Sequence, residues 1–82
     1  MQKNTATLLI SCPDRKGLVA TIANFLMAYN ANILHADQHQ DSSENLFLMR
    51  VEWDLAGFTL PVENFSAAFQ PIAAENGMTW RI

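Results

Sequence analysis

The stretch Leu18–Asp41, LVATIANFLMAYNANILHADQHQD, changes its period partway along. In its first part Leu18, Ile22, Leu26 and Tyr29 recur at three- and four-residue intervals. Val19, Ala23 and Phe25 widen that stripe, while Thr21, Asn24 and Asn30 lie away from it. This spacing predicts a helix with one apolar side. From Asn32 onward the period is two. Ile33, His35, Asp37 and His39 share one side of an extended segment, and Leu34, Ala36, Gln38 and Gln40 share the other, because side chains alternate along a strand. Asn30 sits at the junction, where a residue that tolerates left-handed backbone closes a helix.

Working outward, Thr5–Ser11 (TATLLIS) is a short apolar run rich in strand formers, ending at Cys12-Pro13. Asp14 follows as the expected N-cap of the helix, its carboxylate accepting a free backbone N–H. Downstream, Asp41–Asn45 (DSSEN) is a polar turn. Leu46–Asp54 alternates cleanly, with Phe47, Met49, Val51 and Trp53 expected in the core and Leu48, Arg50, Glu52 and Asp54 opposite. After a connection at Ala56–Thr59, Pro61 suits the first turn of a second helix. Val62, Phe65, Phe69 and Ile72 make its expected buried stripe, and Pro71 should kink it or cost it a hydrogen bond. Asn76-Gly77 ends that helix, and Met78–Ile82 (MTWRI) alternates as a fourth strand.

The order β-α-β-β-α-β predicts an α+β, ferredoxin-like fold: a four-stranded antiparallel sheet with two helices on one face. The chain has 82 residues, 50% of them apolar and 16% charged, with a net charge of -3. Residues 1–82 therefore read as one domain, too apolar for disorder. No run approaches the ~18 apolar residues of a membrane helix, and no secretory signal opens the chain. The single cysteine, Cys12, cannot form an internal disulfide, so a reducing, cytoplasmic setting is expected. A small domain without staples gains core from a partner, so a homo-oligomer, at least a dimer, is expected. Five scattered Lys and Arg in an acidic chain argue against nucleic acid. The chain stops on a strand, which suggests a piece cut from a longer protein.

The entrance to the first helix is the best candidate site. Gly17 permits close approach to the backbone, and free N–H groups with the helix dipole favour a carboxylate. Arg15 and Lys16 add positive charge, and Asp14 could face an ammonium group. Together these suit the two ends of an amino acid, although an ordinary capped helix start carries the same residues. His35, Asp37 and His39 have ligand chemistry, yet side chains two apart on a flat strand run parallel and do not converge on a metal. Cys12 has no nearby histidine in sequence and reads as a structural thiol. The aromatic third strand lacks the basic and glycine residues of an RNA-binding sheet. No P-loop, dinucleotide motif or catalytic triad is present, so the residues supply no catalytic site and call for no cofactor or metal.

The segment Cys12-Pro13-Asp14-Arg15-Lys16-Gly17-Leu18-Val19, followed by a helix and by Ala31-Asn32-Ile33, resembles the ACT domain, a family of small βαββαβ modules that bind amino acids. The resemblance implies a regulatory, dimerising role. It places an effector near Asp14, Arg15, Lys16, Gly17 and Leu18, with Asn32 and Ile33 of a partner subunit closing the site. Lys16 stands where many members carry proline, and Asn30 where many carry glycine.

A narrower resemblance rests on Ala36-Asp37-Gln38-His39, Leu46–Glu52, Ala68-Phe69-Gln70-Pro71-Ile72-Ala73 and Gly77–Ile82. These are similar to the N-terminal ACT domain of the formyltetrahydrofolate deformylase family, in which the proline inside the second helix is expected. It implies a hydrolase of one-carbon metabolism and purine biosynthesis, whose formyltransferase-like domain converts 10-formyltetrahydrofolate to tetrahydrofolate and formate. The catalytic residues belong to that other domain, so none is transferred and this chain alone is expected to be non-catalytic. The alternative is a stand-alone ACT regulatory protein acting on a partner chain.

Overall fold

The computed structural model describes residues 4–82. Strand β1 (Thr5–Pro13) leads through a short loop to helix α1 (Leu18–Ala28), then to β2 (Asn32–Asp41) and β3 (Leu46–Asp54). Helix α2 (Val62–Asn76) and β4 (Thr79–Arg81) complete the expected βαββαβ order. The sheet runs β2-β3-β1-β4 and is antiparallel throughout. This is the ferredoxin-like arrangement that the sequence predicts.

Register explains the core. Leu8 lies opposite Val51, Ile10 opposite Met49 and Cys12 opposite Phe47, so all six side chains point to one face. That face is covered by Leu18, Ile22, Phe25 and Leu26 of α1 and by Phe65, Phe69 and Ala73 of α2, all buried. Phe25 meets Phe69 edge-on with ring centres 5.2 Å apart, and Phe69 meets Trp80 at 5.0 Å. Trp53 stacks on Phe65 at 5.9 Å. These contacts tie both helices to β3 and β4, and such pairs add about 0.5–1.5 kcal/mol each beyond buried area.

Several local expectations change. β1 runs two residues past Ser11, through Pro13. Proline is tolerated there because β4 pairs with β1 only over Leu9–Ser11, so no ladder bond is asked of it on that side. Asp14 is not the N-cap of α1. Gly17 takes that place with φ +84°, and no side chain caps the turn. Val62 is exposed rather than buried, since α2 has only just begun and its first turn overhangs the core. Pro71 lies on the exposed side of α2, which continues to Asn76. The pyrrolidine ring removes only the donor that would have reached the carbonyl of residue 67.

The largest change is in β2. An extra residue, Leu34, sits between the pairs Ile33–Trp53 and His35–Glu52, forming a bulge. A single inserted residue reverses the alternation. Ile33 therefore leaves the side of His35, Asp37 and His39 and turns toward Trp53, where it is half-buried.

Both helices end as expected. Asn30 adopts φ +66°, its N–H donating to the Met27 carbonyl, while the Ala31 N–H reaches Leu26. Gly77 (φ +64°) and Met78 repeat the pattern on Ala74 and Ala73. This paired hydrogen bonding satisfies carbonyls that a helix end leaves free. No helix among the described residues is long and apolar enough to cross a membrane.

Candidate functional site

The loop between β1 and α1 is a built structure rather than a slack connection. The Asp14 N–H donates to the Asn45 carbonyl at 2.9 Å, fastening the loop to the β2–β3 turn. The Asp14 carboxylate accepts from Gln40 Nε2, at 3.3 Å to Oδ1 and 3.2 Å to Oδ2. That bond fixes the carboxylate beside β2 and explains why it does not cap the helix. Gly17 then turns the chain through left-handed backbone, and nothing lies within 4 Å of where its Cβ would stand. Its carbonyl accepts from both the Thr21 N–H and Thr21 Oγ1, each at 2.9 Å. The first turn of α1 contains no acidic residue and no side chain caps it, leaving donors available to an anion. Arg15 and Lys16 are exposed next to them, and Leu18 is buried beneath.

Asn32 and Ile33 lie elsewhere. Pro13 pairs with Leu46 at one end of β3, and Asn32 pairs with Asp54 at the other. The length of β3 separates them, roughly 27 Å at about 3.4 Å per residue. The two halves of the expected site therefore do not meet within one copy.

Cys12 is buried under the same loop. Burial pushes its thiol up, with the Asp14 carboxylate adding to the effect and Arg15 opposing it. A raised thiol is a poor nucleophile at neutral pH. Among the described residues no three His, Cys, Asp or Glu side chains are placed to hold a metal. His35, Asp37 and His39 stand in a row on the uncovered face of the sheet.

Sequence reasoning missed that uncovered face as a site. Leu9, Ser11, Leu48, Arg50, Thr79 and Arg81 converge there around a shallow concavity of about 500 Å³, with Asp37 and His39 along one side. Each of these residues occupies an outward position on its strand, but only the strand order brings them together.

An antiparallel four-stranded sheet, two helices on one face and a glycine-turned loop ahead of the first helix define a small ferredoxin-like βαββαβ module. Residues 6–74 match the ACT domain, and the chain belongs to that family. The formyltetrahydrofolate deformylase of Synechocystis sp. is 50% identical over 82 residues, which is 100% of this chain and 29% of that protein. The formyltetrahydrofolate deformylase of Bacillus subtilis is 37% identical over 76 residues, 92% of this chain and 25% of that protein. The crystal structure of a formyltetrahydrofolate deformylase from Pseudomonas syringae pv. tomato superimposes with a TM-score of 0.91 at 40% identity, covering 98% of this chain and 27% of that one. The chain thus spans less than a third of the length of these relatives.

Proposed function

We propose that this chain is the regulatory domain of a formyltetrahydrofolate deformylase whose separate catalytic region hydrolyses 10-formyltetrahydrofolate to tetrahydrofolate and formate. The observation that carries this reading is the 50% identity to one such protein along all 82 residues. The domain itself contributes no catalytic group. It works in the cytoplasm as a homodimer and senses an amino acid.

The separation of the two half-sites supports the dimer. The effector's carboxylate meets the free N–H groups of α1, near Arg15 and Lys16, and its ammonium group faces Asp14. Asn32 and Ile33 of the partner subunit close the other side. The ten-residue edge strand β2 offers unpaired backbone groups for docking. A ligand that touches both copies binds the dimer and not the monomer, so mass action shifts the population toward the dimer.

Two experiments test this. Formate release from 10-formyltetrahydrofolate is measured on the full-length protein of the same gene; no release sinks the deformylase reading. Titration calorimetry of the 82-residue chain with each of the twenty amino acids, alongside sedimentation velocity, tests the effector. Heat with at least one amino acid and a larger sedimentation coefficient are expected. Silence from all twenty removes the effector site.

A further inference from the structure

We infer that the helix-free face of the sheet binds an organic dicarboxylate with an apolar body, held by Arg50 and Arg81 on either side of Leu9.

The register makes this row. Arg50 of β3 lies opposite Leu9 of β1, and Leu9 lies opposite Arg81 of β4. Paired residues of antiparallel strands share a face, so the three side chains stand side by side across the sheet. Two strand spacings separate the arginines, roughly 10 Å. Both are exposed, and among the described residues neither guanidinium takes part in a side-chain hydrogen bond or ion pair. The floor between them is apolar. Leu9 is half-buried, and Leu48, one step along β3 on the same face, is 38% exposed. A long flat molecule that covers the leucines and ends in an anion at each guanidinium matches both the apolar floor and the charge.

The neighbouring row adds donors. Ser11 lies opposite Thr79, next to Leu9 and Arg81, so two hydroxyls stand beside the Arg81 end. Guanidinium–carboxylate bonds are the strongest class of side-chain hydrogen bond and are commonly bidentate. The other end is weaker by design of the register. Asp37 lies opposite Arg50 and opposes an anion there. The site is therefore asymmetric, with its tighter grip at β4. It stands apart from the helix-entrance loop, shares no residue with it, and does not rest on the proposed regulatory reading.

The probe is octanedioate, whose extended chain suits the arginine spacing, titrated into the nitrogen-15-labelled 82-residue chain. Saturable amide shifts are expected at Leu9, Leu48, Arg50 and Arg81, weakening as salt is raised. Arg81→Gln and Arg50→Gln should each weaken binding at least about tenfold, the loss of one charge-assisted hydrogen bond. Arg81→Gln should cost more, and Asp37→Asn should tighten binding. Octanoate should bind more weakly, and 1,8-octanediol should leave the spectrum unchanged. All three substituted residues are exposed, so the folded spectrum persists in each variant. Absence of saturable shifts overturns the inference, as do shifts that survive both arginine variants or that centre on Asp14–Leu18.

Discussion

The two faces of this sheet are made from the same strands and have opposite fates. On one face Leu8, Ile10, Met49, Val51 and Trp53 lie at or below 5% exposure under two helices. On the other, Leu9, Leu48, Arg50, Glu52 and Arg81 alternate with them and meet solvent or lie half-buried. One residue step along a strand separates a position buried under the helices from one on the uncovered face. Stability is concentrated on the first face, and surface chemistry is concentrated on the second.

The sharpest way to break this contrast is to hollow out the covered face. Phe69→Ala should destabilise the chain by about 3–5 kcal/mol, a large part of the total for a domain of this size. Urea denaturation checks it; a loss below about 1 kcal/mol would mean that the aromatic cluster is not the core. A second, smaller effect lies outside both faces. Gly17→Ala places a Cβ in open space but at φ +84°, so the cost is backbone alone, about 1–2 kcal/mol. The same denaturation measurement reads it.

Smaller still is the effect on the open face. Leu48→Thr and Arg81→Gln should each stay within about 0.5 kcal/mol of the parent. If either matched Phe69→Ala, the open face would be part of the core of an assembly. Cys12 sharpens the comparison by chemistry. Its thiol belongs to the covered face, and alkylation by iodoacetamide at neutral pH should be slow in the native chain and fast in urea.

The smallest effect is at the β2–β3 turn. Asp41 Oδ1 accepts from Ser43 Oγ at 2.7 Å and from the Ser43 N–H at 3.1 Å. The Ser43 hydroxyl is the main cause that holds the Asp41 carboxyl below its ordinary range. A carboxylate lowered by folding supports the fold above its unfolded pKa, and that support is lost as pH falls through the lowered value. The parent should therefore lose slightly more stability on acidification than Asp41→Asn, and thermal melts across the acid range compare the two.

Much of this contrast was legible in the sequence because period is local. The stripe Leu18, Ile22, Leu26 and the alternation Phe47, Met49, Val51, Trp53 each announce a buried side without reference to any other segment. What was hidden depends on partners far along the chain. Asp14 has the composition of an N-cap, but Gln40 claims its carboxylate from 26 residues away. The bulge at Leu34 leaves no mark in the sequence NILHADQHQD, because a strand with polar and apolar residues on both sides has no clean alternation to interrupt. The loop ahead of α1 was readable as a motif, whereas the open-face row needed a register that places Leu9 between Arg50 and Arg81. No single segment contains two of those three residues.

The strand order also sets a timetable for the nascent chain. β1 is synthesised before the other three strands of this sheet, yet it lies between β3 and β4, and Leu9 takes Arg81 as its partner on one side. Pairing of such distant segments must wait for loop closure and slows folding. The β2–β3 hairpin, joined by the Asp41 turn, can form alone as soon as it is made. β1 can join it next, but the aromatic cluster cannot close until Trp80 arrives to pack on Phe69. Until then the covered face stays partly bare, and this part of the emerging chain is most exposed to chaperones and to its own copies in the interval before β4 is laid down.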